Sequence, residues 1–243
     1  MTVLSQEQRA TSLEAMTSQK FDVLVIGGGV TGAGIALDAA ARGLNTAVVD
    51  AQDWAAGTSS RSSRLVHGGL RYLYNLDFKL VAEALRERSR LLTTIAPHLV
   101  EAQPFLWPLK TPVIERAYSA VGVGMYDALA RIGSRGRKTV PIQRHLSKAG
   151  AMRRFPEIKR DALVGAIEFY DARVDDARLV ITLIRTAVKY GAAAASRVKV
   201  TEILKDGRGR ACGVKAVDLE TGNELTIEAD RIINATGVWT EQT

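Results

Sequence analysis

One cysteine, Cys212, is all the thiol this 243-residue chain carries, and its three histidines, His67, His98 and His145, lie far apart. Intramolecular disulfides and thiolate metal clusters are thereby excluded, and no ligand pair with structural-metal spacing remains. Long apolar runs are equally scarce. The uncharged stretch 23–37, VLVIGGGVTGAGIAL, is too short to cross a bilayer comfortably, is rich in glycine, and is followed by Asp38 and Arg42. Residues 1–20 are polar with charges of both signs, so no signal peptide is expected ahead of the first strand. Nothing points to an oxidising compartment, and a cytoplasmic location is expected.

Hydrophobic residues make up 47% of the chain and charged residues 24%, which suits a soluble globular protein rather than a disordered one. The formal charge of +7 is concentrated. Between 131 and 160 stand Arg131, Arg135, Arg137, Lys138, Arg144, Lys148, Arg153, Arg154, Lys159 and Arg160, with Glu157 the only acid among them. Such a segment suits an anionic membrane face, a phosphorylated substrate or simply solvent. No aromatic interleaving accompanies the charge, so nucleic acid is not expected as a partner.

The organisation is that of an α/β protein. FDVLVI at 21–26 is a short apolar run ending at three glycines, the pattern of a buried parallel strand. An alanine-rich helix follows over 30–42, stopped by Gly43, and a second strand over 45–49 ends at Asp50. This is a βαβ unit opening a doubly wound fold. Apolar spacing at Leu76, Leu80, Ala84, Leu85, Ser89 and Leu92 predicts a packing helix over 76–95. Segment 100–175 holds most of the prolines and lacks the βαβ rhythm, so it reads as part of an inserted, substrate-side α+β domain. The first domain resumes with a helix over 176–190, opened by Asp175 or Asp176 and closed by Gly191. A strand near 198–204, a hairpin of 212–218 with 224–228, and a separate last strand at 231–234 complete it. The divisions expected are therefore an extension at 1–20, the first domain over 21–99, the substrate-side segment over 100–175 and the first domain again over 176–243. The four alanines 192–195 stand where branched strand residues are expected.

GGGVTG at 27–32 matches G-x-G-x-x-G through Gly27, Gly29 and Gly32, directly after a strand and at the start of a helix. Gly27 allows the tight turn, Gly29 admits a pyrophosphate to the backbone, and Gly32 lets helix and strand pack closely; Thr31 lies within the same turn. Asp50, 18 residues past Gly32, is placed to accept hydrogen bonds from an adenosine ribose. NAD and FAD both fit this unit. The second strand-end motif, Asn234-Ala235-Thr236-Gly237, resembles the second flavin-contacting strand of two-dinucleotide-binding flavoproteins, where the small turn lets the backbone approach the cofactor, and it thereby favours FAD.

The stretches IGGGVTGAGIALDAAARGL, GTSSRSSRLVHGGLRYL, APHLV, YDARVDDARLV and NATGVW resemble, in this order, the FAD-dependent glycerol-3-phosphate dehydrogenases of the aerobic type. The resemblance runs from about residue 21 to the end, and family members are considerably longer, so this chain is expected to be an N-terminal portion. It implies a Rossmann-like FAD-binding domain of the two-dinucleotide-binding flavoprotein type. It also implies oxidation of sn-glycerol 3-phosphate to dihydroxyacetone phosphate by hydride transfer to the flavin, with electrons passing to a membrane quinone. Peripheral attachment at the inner face of the plasma membrane goes with this, and a homodimer is compatible with it. An oxidase that uses oxygen, or a cofactor-binding module without turnover, carries the same motifs.

The same resemblance implies residue roles. Thr58, Ser59 and Ser60, with Ser63, would donate to pyrophosphate and ribityl oxygens. Arg64, where many relatives have Lys, and Leu65 would lie near the flavin ring, with the backbone of His67, Gly68 and Gly69 passing close to it. Arg71 and Tyr72 would reach the substrate phosphate, a task that suits the donor fork of arginine. His67 would either take the substrate's hydroxyl proton or serve as a structural hydrogen-bonding residue, and the structural role is preferred. Val200 would offer its backbone to the adenine. Two departures stand out: Asp50 replaces the usual Glu, and Val238 the proline common after NATG.

Overall fold

The computed structural model describes residues 4–69, 72, 75, 77–111, 124 and 140–242. In chain order the elements are α1 (Gln6–Ser18), β1 (Phe21–Ile26), α2 (Val30–Ala41), β2 (Thr46–Asp50), β3 (Leu65–Val66), α3 (Phe78–Arg90), β4 (Val100–Leu109), β5 (Arg144–Ser147), α4 (Lys148–Arg154), β6 (Gly165–Val174), α5 (Asp176–Lys189), β7 (Ala193–Ser196), β8 (Val198–Lys205), β9 (Ala211–Asp218) and β10 (Glu224–Asn234). The chain divides into two compact units, residues 1–63 with 176–243 and residues 64–175. The first domain had been expected to run on to residue 99. Instead Arg64–Leu99 groups with the second unit, because β3 pairs there with β6.

The first unit is built on a six-stranded sheet of order β7-β2-β1-β10-β9-β8. β1 pairs parallel with β2 and with the second half of β10. Strand periodicity splits its core in two. Val23, Val25 and Val48 face the alanines of α2 and Val180, Ile184 and Ala187 of α5. Leu24, Ile26, Ala47 and Val49 face Met16 of α1 together with Val214, Ala216 and Ile227. Residues 224–228 and 231–234, expected as separate strands, form one strand of 11 residues. Its first half pairs antiparallel with β9 and its second half parallel with β1, so the charged residues Glu228, Asp230 and Arg231 mark a change of partner rather than a break.

Within the stretch expected as an N-terminal extension, the described residues 4–20 pack on the first unit. α1 lies on the edge strand β7: Ser12 Oγ accepts from the Ala194 amide at 3.1 Å, Gln8 Nε2 donates to the Ala194 carbonyl at 3.2 Å, and Arg9 Nε donates to the Ser196 carbonyl at 3.1 Å. Edge backbone groups that would otherwise template another strand are thereby satisfied. Ala193 and Ala195 cluster with Met16 of α1 and Ala192 and Ala194 with residues of α2 and α5, so small side chains here serve helices on both faces.

The second unit is an antiparallel sheet centred on β6, which pairs with β4 along ten residues and, on its other side, with β5 and β3. Pro104 and Pro108 are tolerated in β4 because, among the described residues, that strand pairs only with β6. α3 begins at Asp77, whose side chain caps the Leu80 amide at 3.1 Å, and it ends in a wider turn over Leu91–Ile95. Its buried stripe is Val81, Leu85, Arg88 and Ser89, so Leu85 and Ser89 lie on the expected face whereas Leu80 does not, being 40% exposed. Leu76, and the basic residues Arg131, Arg135, Arg137 and Lys138, lie outside the described residues. Among the described residues no helix is long and apolar enough to cross a membrane, and no cluster of His, Cys, Asp or Glu could hold a metal.

Candidate functional site

β1, β2 and the second half of β10 run parallel, so their carboxyl ends, Ile26, Asp50 and Asn234, open on one edge of the sheet. A cleft of about 660 Å³ lies there within the first unit. This is the position where doubly wound sheets take their ligands. Gly27, Gly29, Thr31, Asp50, Thr58, Ser59, Val200, Ala235, Thr236 and Gly237, all given cofactor roles above, line it.

The glycines divide by function. Gly27 sits at φ +111°, and a Cβ there would stand 2.4 Å from the Ala235 carbonyl oxygen. A Cβ on Gly32 would fall 1.8 Å from the Gly27 carbonyl oxygen, so this glycine closes helix onto strand. Both are demanded by the protein's own packing. Gly29 is different: its φ is an ordinary −79°, and a Cβ would meet only Ser59 Oγ, at 3.4 Å. Among the described residues no closer contact demands a glycine there, and Gly29 lines the cleft. Gly28, to which no role had been given, lies under Trp54, whose Cε3 would be 2.3 Å from an added Cβ.

The polar groups are arranged for a ligand bearing phosphates and hydroxyls. Val30, first residue of α2, donates its amide to Ser59 Oγ at 3.0 Å, which brings the Ser59 hydroxyl to the positive end of the helix. Asp50 Oδ2 accepts from the Gly28 amide at 2.6 Å and Oδ1 from the Gln52 amide at 2.7 Å. Each carboxylate oxygen keeps a further lone pair for a ribose hydroxyl. On the opposite wall the Asn234 side chain accepts from both the amide and the hydroxyl of Thr236, at 3.1 and 2.6 Å. The Ala235 amide ties this turn to the Ile26 carbonyl at 2.8 Å.

Several lining residues were not foreseen. Arg197 occupies φ +61°, its amide held by the Gln52 carbonyl at 3.0 Å and its carbonyl by the Leu219 amide at 2.7 Å. With Lys199 it adds positive charge to the lining, and Val198 joins Val200. Ser62 lines the cleft and donates to Asp176 Oδ2 at 2.5 Å. Trp239 packs on Gly57, whose Cβ would stand 2.8 Å from its ring. A basic residue directly before the strand that follows β7 was the available signal for Arg197; nothing local in the sequence marked Trp239.

Other expected residues are not among those that line the cleft. The Ser60 hydroxyl donates to the Ala55 carbonyl, because the 3₁₀ turn Thr58–Ser60 swings successive side chains in different directions. Neither Ser60 nor Ser63 lines the cleft. Arg64, Leu65, His67, Gly68, Gly69 and Tyr72 belong to the second unit. There Leu65 pairs with Arg173, His67 is exposed, and the rings of His67 and Tyr72 are 6.4 Å apart. Arg71 lies outside the described residues.

Fold and cleft together define a dinucleotide-binding protein of the doubly wound class. A family model described as FAD dependent oxidoreductase matches residues 22–243, and the chain belongs to that family. Its cofactor is FAD, and the donors and the open backbone of the cleft fit such a group. The chain is 51% identical over 239 residues to a glycerol-3-phosphate dehydrogenase of Mycobacterium leprae, a match covering 98% of this chain and 40% of that protein. It is 41% identical over 241 residues to an alpha-glycerophosphate oxidase of Streptococcus pyogenes serotype M1, covering 98% and 39%. Among solved structures, the glycerol-3-phosphate dehydrogenase from Bacillus halodurans complexed with FAD is similar at a TM-score of 0.69 and 31% identity, over 96% of this chain and 37% of that one. The chain thus spans about two fifths of the length of these relatives.

Proposed function

We propose that this chain forms the FAD-binding portion, and part of the substrate-facing portion, of an enzyme that oxidises sn-glycerol 3-phosphate to dihydroxyacetone phosphate and passes the electrons to a quinone. The observation that carries this reading is the phosphate- and ribose-adapted cleft, found in a chain 51% identical to a protein named glycerol-3-phosphate dehydrogenase. FAD, when bound, supplies the acceptor for the substrate's hydride; the protein's share is to hold, orient and neutralise. Ser59, Thr58 and the start of α2 would hold the pyrophosphate, Asp50 the ribose, and the backbone of Val198–Val200 the adenine. Arg64 and the His67–Gly69 backbone would lie beside the reacting end, with Arg71 and Tyr72 on the substrate phosphate. Peripheral attachment to the inner face of the plasma membrane completes the reading. Arg144, Lys148, Arg153, Arg154, Lys159 and Arg160 are compatible with an anionic surface, although Arg154 is drawn to Glu168 at 3.2 Å.

The similarity to an alpha-glycerophosphate oxidase supports a second reading, in which oxygen takes the electrons. The test is the visible absorbance spectrum of the purified protein before and after anaerobic addition of glycerol 3-phosphate. Bleaching of a flavin spectrum supports the dehydrogenase half-reaction; a spectrum that persists leaves an FAD-binding module. Hydrogen peroxide formed when air is readmitted would favour the oxidase reading over the quinone one.

A further inference from the structure

The second unit holds a buried ion pair to which none of the roles above is attached. Arg88 is 1% exposed and Asp171 6%. Arg88 Nη1 donates to Asp171 Oδ1 at 2.7 Å, and the Gly68 amide donates to both carboxylate oxygens, at 3.1 and 3.3 Å. Stability alone does not account for such a pair, since buried ion pairs can often be replaced by apolar residues without loss. This one does something an apolar pair could not: it gives a buried backbone amide, 103 residues away in sequence, a charged acceptor.

The amide so held is the second beyond β3. Leu65 and Val66 have their ladder partners on β6; Gly68 is buried with that ladder already ended. Without Asp171 its N–H would lose the partner that buried backbone groups require. On the far side of Gly68 the chain turns sharply. Gly69 sits at φ +80°, its carbonyl accepts from the Tyr72 amide at 2.8 Å, and a Cβ there would stand 2.7 Å from the Tyr72 ring. His67, exposed and 6.4 Å from the Tyr72 ring, is thus carried on a segment anchored by β3 before it and by the Gly68 amide after it.

We propose that Asp171, paired with Arg88, is a positioning residue: it sets the backbone of His67–Gly69, and with it the placement of His67, for the reaction at that segment. The proposal rests on the reading that His67–Gly69 lies beside the reacting end of the cofactor. Asp171 itself touches neither substrate nor cofactor in this account; it acts through the Gly68 amide.

Two double variants of the full-length flavoprotein separate positioning from stability. Arg88→Met with Asp171→Asn removes both charges but keeps an acceptor for Gly68. Arg88→Met with Asp171→Leu removes the charges and the acceptor. Four quantities are read on each: the melting temperature, hydrogen exchange at the Gly68 amide, the flavin midpoint potential, and the anaerobic bleaching rate at saturating glycerol 3-phosphate. The Asn double should stay within about threefold of wild type in bleaching rate. The Leu double should exchange Gly68 faster and bleach about 10- to 100-fold more slowly at a similar melting temperature, the scale of loss that misplacement of a reacting group produces. Equal bleaching rates in two folded doubles, or unchanged Gly68 exchange in the Leu double, would overturn the proposal. If the Leu double does not fold, Arg88→Met with Asp171→Ala takes its place under the same criteria. If wild type itself is not bleached, the substrate reading has failed. Gly68 exchange and the midpoint potential then decide: both must differ between the two doubles, or the proposal falls as well.

Discussion

Ser12 on the first helix accepts the amide hydrogen of Ala194 at 3.1 Å, across 182 positions of sequence. With Gln8 and Arg9 it turns a polar, weakly patterned helix into the cover of a sheet edge. The helix therefore belongs to the folding unit, and its inward face works by hydrogen bonding more than by apolar burial.

Arg9 is the centre of that contact. Besides the Ser196 carbonyl it holds Asp218 Oδ1 at 2.5 Å and Glu220 Oε2 at 3.3 Å. Burial by itself would push the Asp218 carboxyl up. The hydrogen bonds from Arg9, the Glu220 amide and the Thr221 hydroxyl, with the Arg9 charge, outweigh it and hold the group below its usual value. A carboxyl lowered on folding contributes stability above its unfolded pKa, and that stability is lost as pH falls through the folded value. Arg9→Met should therefore cost about 2 kcal/mol at neutral pH. The gap from wild type should close as pH falls below about 4. Urea unfolding at pH 7 and at pH 3 checks both; a gap that is the same at both values would refute the role given to Asp218.

Gly27, Gly29 and Gly32 should respond differently to alanine. Gly27→Ala and Gly32→Ala meet backbone oxygen at 2.4 and 1.8 Å and should destabilise the apoprotein by roughly 1–3 kcal/mol or more. Gly29→Ala should leave the apoprotein melting temperature nearly unchanged and weaken FAD binding by about tenfold. Melting curves without cofactor, set beside FAD titrations, distinguish the two behaviours.

Gly28 and Trp54 should be coupled. Gly28→Ala places a Cβ 2.3 Å from the Trp54 ring and is expected to cost about 1–3 kcal/mol. In a Trp54→Leu background most of that cost should vanish, a non-additivity expected of touching residues. A double-mutant cycle by denaturant unfolding measures it, and strict additivity would mean the ring moves aside at no cost.

Asp50 holds two backbone amides as well as facing the cleft. Asp50→Ala should thus lower both FAD affinity and apoprotein stability, the latter by about 1–3 kcal/mol for the amides left unpaired. Asp50→Asn, which keeps one acceptor oxygen, should restore part of the stability and less of the affinity. Calorimetric titration with FAD and thermal unfolding of the apoprotein read the two effects separately.

The elements legible in the sequence are those whose residues are chosen by one demand. FDVLVI is buried on both faces and reads as a parallel strand; GGGVTG answers to a turn, a cleft and a helix at known spacing. Illegible parts serve two demands or answer to distant partners. β10 changes partner midway, so its charged middle looked like a gap. α1 carries few apolar residues because its contacts are Ser12, Gln8 and Arg9 reaching edge backbone. Arg88 sits on the buried stripe of α3, where charge suggests the solvent face; only its distant partner Asp171 reveals otherwise. Ser60 and Ser62 look interchangeable in TSSRSS, yet Ser60, inside the 3₁₀ turn, donates to the Ala55 carbonyl, while Ser62, past the turn, lines the cleft.

The single strand from Glu224 to Asn234 has one more implication. Eleven residues at about 3.3 Å each span roughly 36 Å, from the hairpin turn to the cleft wall at Ala235. Along that length the strand acts as a ruler shared by two ladders of one sheet: five residues are read against β9 and the rest against β1. A residue inserted at Thr221–Asn223 can be taken up by the turn. One inserted between Asp230 and Asn234 must shift the remainder of the strand by one place, turning each later side chain to the opposite face and carrying Thr236 out of the wall. The spacing of the cleft is thus stored in the length of a strand rather than in the residues that line it.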